Sequence, residues 1–144
     1  MAQMETDAQG VMARMERGLH AGAEVLKKAL QDETKTAFKA PSGELATKVK
    51  ESRKLHRVGT ECSVEVYAQG SYKGVRGKPR RAETVAFVQE YGRGEGVVFK
   101  RNARLNRRQG QHGSKTQGTL WNANAVEKSS DAVGEAISRE MFRK

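Results

Sequence analysis

Glu61-Cys62-Ser63-Val64-Glu65-Val66-Tyr67-Ala68 is the stretch that decides the fold. Val64 and Val66 fall on one side of an extended chain, and Ser63, Glu65 and Tyr67 on the other. A period of two is that of a strand with one buried and one wet face. Just before it, Gly59-Thr60 is a turn signal, and residues 53–58 read as a second strand. The two together predict an antiparallel hairpin.

The period changes on moving outward. Towards the start, Met12, Met15, Leu19, Leu26 and Leu30 recur near every 3.5 residues, the stripe of an amphipathic helix. That helix is expected over about residues 7–38. Pro41 ends it, because the residue before a proline is pushed out of helical geometry. Gly18 and Gly22 lie inside it; they mark either a tolerated weakness or a place where another backbone comes close. Ser42 is suited to cap a short second helix running to about Lys50. Towards the end, Val126, Val133, Ile137 and Met141 form a second apolar stripe. A helix over about residues 122–142 is expected, capped by Asn122 or Asn124, with Trp121 as an anchor.

The order is helix, strands, helix. The expected class is α+β: a long N-terminal helix, a small antiparallel sheet and a C-terminal helix in a single domain over residues 1–144. The sheet region is placed at about 52–99, with Val97-Val98-Phe99 as a short strand. Residues 82–91 are compatible with helix or strand, and Gly92 closes them. With 36% hydrophobic and 6% aromatic residues, the core is expected to be thin. Association with neighbours then supplies part of the stability.

Charge is unevenly placed. The formal net charge is +10, from 27 basic and 17 acidic residues. Residues 1–40 carry six of each sign and residues 127–144 four of each, so the middle of the chain carries the whole excess. Two segments hold most of it. Residues 69–81 read as a loop with Lys73, Arg76, Lys78, Arg80 and Arg81. Residues 100–118 read as a long mobile loop with Lys100, Arg101, Arg104, Arg107, Arg108 and Lys115, and no acidic residue. Loops of this length are usually functional, or disordered when free.

Such loops suit three readings: a solvated face, docking on an acidic protein neighbour through arginine–carboxylate pairs, or contact with a DNA backbone. Tyr72 is the lone aromatic in the first loop, and the second has none. Aromatic residues would be needed to stack on single-stranded bases, so sequence-specific reading of nucleic acid is expected to be weak.

Signals for catalysis are missing. His20, His56 and His112 lack metal-ligand spacing, and Cys62 is the only cysteine, so no intrachain disulfide forms. Cys62 is expected to be a buried, inert thiol. No G-x-S-x-G or Walker A motif occurs, and Gly92-Arg93-Gly94-Glu95-Gly96 reads as a turn. Glu90 beside Tyr91 is better explained by a structural hydrogen bond than by catalysis. No enzyme, cofactor or metal is expected. No stretch is apolar enough to cross a bilayer, and the start has no signal-peptide pattern, so synthesis in the cytoplasm is expected.

Three segments in order carry a family resemblance. They are Thr36-Ala37-Phe38-Lys39-Ala40-Pro41-Ser42-Gly43-Glu44-Leu45 at the end of the long helix, Val64 to Tyr67, and Ala86-Phe87-Val88-Gln89-Glu90-Tyr91-Gly92. Together they resemble the small tail-component proteins of long-tailed bacteriophages: neck, tail-completion or tail-terminator proteins. That family usually follows the glycine with a Pro-Phe-x-Arg-Pro segment. Here Val98-Phe99-Lys100-Arg101-Asn102 keeps the Phe and an Arg without the prolines.

The resemblance implies a structural virion protein at the head–tail joint. It implies a homo-oligomeric ring, sixfold in expectation, between head-side connector or stopper proteins and the tail tube protein. Localisation would be the virion, reached from the host cytoplasm during assembly. The basic loops would face protein neighbours more than the DNA channel, since a lumen lined with arginine grips DNA that must move. A small basic DNA-binding protein, with non-specific backbone contact, is the alternative.

Overall fold

The structure is a computed structural model that describes residues 2–37, 42–73, 79–93 and 116–143. The class is α+β, mostly helical, with a long N-terminal helix, small antiparallel strand pairs and a C-terminal helix.

Helix α1 spans Ala2–Ala37. At 1.5 Å per residue its 36 residues reach about 54 Å. The C-terminal helix, α4, spans Trp121–Met141. The two lie antiparallel along most of α4: Lys128 Nζ is 2.8 Å from Glu33 Oε2, and Gly18 and Gly22 abut Ile137. The two glycines make this packing close. A Cβ built on Gly22 would stand 2.7 Å from Ile137 Cγ1 and 3.3 Å from Val133 Cγ1. One on Gly18 would stand 3.1 Å from the Ile137 carbonyl oxygen. Of the two meanings open for these glycines, close backbone approach is the one observed. N-terminal to Gly18, α1 runs on past Met141, and Val11 there is half exposed.

The core sits at the other end of the helix pair. Leu30, Leu45, Val49, Ala82, Trp121 and Ala125 are buried together, with Leu26, Ala29, Val66, Ala68 and Ala86 packed against them. Most of these side chains are small, so the core is thin, as the composition implies. Trp121 is its largest member and donates from Nε1 to the Ala86 carbonyl at 3.1 Å. A tryptophan buries the most area per residue but requires a partner for its N–H.

The short second helix, α2, covers Ser42–Lys48 and stops two residues earlier than expected. Residues 49–51 leave it as strand β1, Val49–Glu51. Strand β2 is His56–Val58, so residues 53–55 do not belong to it as expected. Strand β3 is Glu61–Ser63 and strand β4 Val66–Ala68. The single strand read over residues 61–68 is thus two. β3 returns on β2 around the Gly59 turn, pairing Arg57 with Cys62, while β4 pairs with β1, Lys50 opposite Tyr67.

Buried Ser52 causes the break. Its N–H donates to Glu65 O at 2.8 Å, and its hydroxyl accepts from Glu65 N–H at 3.1 Å and donates to Lys54 O at 3.2 Å. This corner re-aims the chain, so that β1 and β4 cover the core while the β2–β3 hairpin stands in solvent. Cys62, in that hairpin, is half exposed and not the buried thiol expected.

The segment read as a loop over residues 69–81 also contains structure. Strand β5, Ser71–Lys73, pairs with strand β6, Pro79–Arg81. Residues 82–91 resolve as helix: α3, Ala82–Tyr91, closed by Gly92 at φ 81°. Strand β7, Gly92–Arg93, pairs with strand β8, Thr116–Gln117. The last residues of the long basic loop are therefore strand, while the expected strand at 97–99 lies outside the described residues.

Candidate partner-binding surface

Helix α3 organises the surface. Strand β6 runs into its start without a break, and β7 leaves its end. The roots of the two basic segments therefore sit at opposite ends of one 10-residue helix, about 15 Å apart. The β5–β6 pair roots the first, with Ser71 opposite Arg81, Tyr72 opposite Arg80 and Lys73 opposite Pro79. The β7–β8 pair roots the second, with Gly92 opposite Gln117 and Arg93 opposite Thr116.

The far root is held by a knot of hydrogen bonds. Thr119 donates to Gln89 O twice, from its N–H at 2.8 Å and from its hydroxyl at 2.9 Å. Gly118 passes so close to α3 that a Cβ there would stand 2.6 Å from Glu90 O. Leu120 takes a left-handed conformation, φ 51° and ψ 34°, which a branched side chain adopts only under constraint.

Neither expected asparagine caps α4. The 6%-exposed Glu90 does, accepting from Asn122 N–H at 2.7 Å and from Ala123 N–H at 3.3 Å. Its negative charge meets the positive end of the helix, which is why a carboxylate is stable there. Asn124 instead donates from Nδ2 to Thr119 O at 3.3 Å. Glu90 thus makes structural hydrogen bonds that tie α3 to α4, the role expected of it from the sequence.

Between the two roots stands an aromatic pair. Phe87 and Tyr91 are 62% and 68% exposed, with ring centroids 4.9 Å apart and tilted by 53°. Leu120, at the far root, is 52% exposed. Two aromatics on successive turns of one helix hold each other in place and leave their outer faces to solvent. Sequence reading missed this pair. The available signal was the four-residue spacing of Phe87 and Tyr91, but it registers only once residues 82–91 are known to be helical.

Of the basic residues singled out, Arg81 is exposed and has no ion-pair partner among the described residues. Lys73 and Arg80 are placed by backbone in β5 and β6. Arg76, Lys78, Lys100, Arg101, Arg104, Arg107, Arg108 and Lys115 lie outside the described residues. Among the described residues, no three His, Cys, Asp or Glu side chains gather as metal ligands. No described helix is long and apolar enough to cross a membrane. No family model, curated protein or solved structure matches the chain.

Proposed function

We propose that the chain is a structural protein of the bacteriophage head–tail joint. Copies form a ring, taken as hexameric, that completes the neck or the tail end and lets the tail attach to the head. Head-side connector or stopper proteins lie on one side of the ring and the tail tube protein on the other.

The observation that carries the reading is the uncovered Phe87–Tyr91 pair between the roots of two basic segments. Exposed aromatics are the anchors of protein-binding surfaces, and the arginines that the adjoining segments carry in sequence suit pairing with carboxylates. The resemblance of residues 36–45, 64–67 and 86–92 to the phage tail-component family supplies the biological setting. Residues 94–115, with six basic and one acidic side chain, supply charge to steer encounter with an acidic neighbour.

The test is deletion of the gene from a phage that carries it. Electron microscopy of lysates should show DNA-filled heads and complete tails that have not joined, with joining restored by the wild-type protein in trans. Intact infectious particles from the deletion refute the proposal.

A further inference from the structure

A second basic surface lies on the β1–β4 strand pair, and none of its cations comes from residues 69–81 or 100–118. In an antiparallel pair the residues opposite one another share a face. Lys50 and Tyr67 are such a pair, on the face turned away from the core. With Arg53, Lys54, His56 and Gln69 they line an open groove of about 510 Å³. All six of these side chains are exposed.

Lys50, Arg53 and Lys54 have no ion-pair partner among the described residues. His56 lies 4.0 Å from Glu65 Oε2, a pair that is ionic only when the imidazole is protonated. Glu51 is the only carboxylate among the lining residues, and its Oε1 binds Lys27 Nζ at 3.1 Å. The groove therefore offers three uncompensated cations around a tyrosine ring that is 39% exposed.

We propose that this groove binds single-stranded nucleic acid. Cations that track a phosphate backbone beside an exposed aromatic face form the working unit of non-specific single-strand binding. Lys50, Arg53 and Lys54 hold phosphates and the Tyr67 ring stacks on a base. Two of the three cations are lysines, a residue that protein-binding surfaces are depleted in, so a phosphate backbone fits this groove better than an acidic protein partner does. The inference does not depend on the neck reading, because it concerns the free chain.

The test is fluorescence anisotropy of the full chain with a labelled oligonucleotide, single-stranded or duplex, from 50 to 300 mM salt. Each phosphate contact contributes about 0.7 to the single-strand slope of log K against log salt, so the K50S/R53S/K54S variant should flatten it by about 2. Tyr67→Ala should weaken single-strand binding by roughly tenfold and leave duplex binding unchanged. Both changes are at exposed positions, and unchanged thermal melting confirms that the variants fold.

An unchanged salt slope in the triple variant overturns the proposal. So does an unchanged single-strand affinity in Tyr67→Ala. Loss of binding only when Arg101, Arg104, Arg107 and Arg108 are changed to Ser assigns the contact to the long basic segment and overturns it too. Competition by polyglutamate as effective as that by the oligonucleotide points to an acidic protein partner and against nucleic acid.

Discussion

Gly22→Ala and Gly134→Ala are the same chemical change in helix interiors, and the structure gives them opposite signs. An alanine is worth about 1 kcal/mol over glycine within a helix. At Gly134 nothing lies within 4 Å of the new Cβ, so that gain is kept in full. At Gly22 the new methyl meets Ile137 Cγ1 at 2.7 Å, Ile137 Cδ1 at 3.0 Å and Val133 Cγ1 at 3.3 Å. Forcing a methylene-sized group into such a contact costs about 1–3 kcal/mol. The net expectation is destabilisation of about 1 kcal/mol at Gly22 and stabilisation of about 1 kcal/mol at Gly134. The gap of about 2 kcal/mol corresponds to roughly 1 M in urea midpoint for a slope near 2 kcal/mol per M. Urea unfolding followed by helix circular dichroism measures it. Combining Gly22→Ala with Ile137→Ala removes the clash, so the double variant should be more stable than the two single effects summed, by about 1–2 kcal/mol. If Gly22→Ala raises the midpoint as far as Gly134→Ala does, the close helix contact is wrong.

Trp121→Ala should cost about 3–5 kcal/mol, a large part of the stability of a domain this size, whereas Trp121→Phe keeps most of the packing and loses the Nε1 hydrogen bond to the Ala86 carbonyl, at about 1 kcal/mol; thermal unfolding separates the two. Glu90→Ala should destabilise by about 1–3 kcal/mol through loss of the α4 cap, with faster hydrogen exchange at the Asn122 and Ala123 amides as the local readout. Phe87→Ser with Tyr91→Ser should leave stability within about 0.5 kcal/mol, since both rings are mostly exposed, yet abolish self-association or ring incorporation in size-exclusion chromatography. Changing Arg101, Arg104, Arg107 and Arg108 together to Ser should leave the circular dichroism spectrum unchanged while head–tail joining fails in a complementation assay; normal joining refutes a contact role for that segment.

Local signals carried the helices well. Met12, Met15, Leu19, Leu26 and Leu30 repeat at helical spacing along α1, and Val126, Val133, Ile137 and Met141 do so along α4, so both helices were readable from period alone. Strands were readable as extended chain but not as partners. The alternation from Glu61 to Ala68 persists straight through the point where the chain changes sheet, because alternation reports which side a residue faces and not which strand lies beside it. The break comes from Ser52, a residue 13 positions away, binding the backbone of Glu65. The cap of α4 was misplaced for the same kind of reason. Asn122 and Asn124 are locally suitable, but a carboxylate from another helix reaches the free N–H groups first.

The candidate surfaces divide along similar lines. Where positive charge accumulates along the chain, at residues 69–81 and 100–118, is a property of the sequence by itself. So are the two amphipathic helices, the α+β order and the spacing of Gly18 and Gly22, since each depends only on residue type and periodicity. Which exposed groups lie between the roots of those segments, and which cations meet an aromatic ring elsewhere, was decided by the tertiary structure. Phe87 and Tyr91 become an exposed pair only because α3 turns its other face, with Ala82 and Ala86, onto the core. Lys50 and Tyr67 meet only because β1 pairs with β4 across 14 intervening residues. Contacts between residues far apart in sequence depend on which apolar faces find each other, and that choice is made by packing the whole chain at once, with no single segment encoding it.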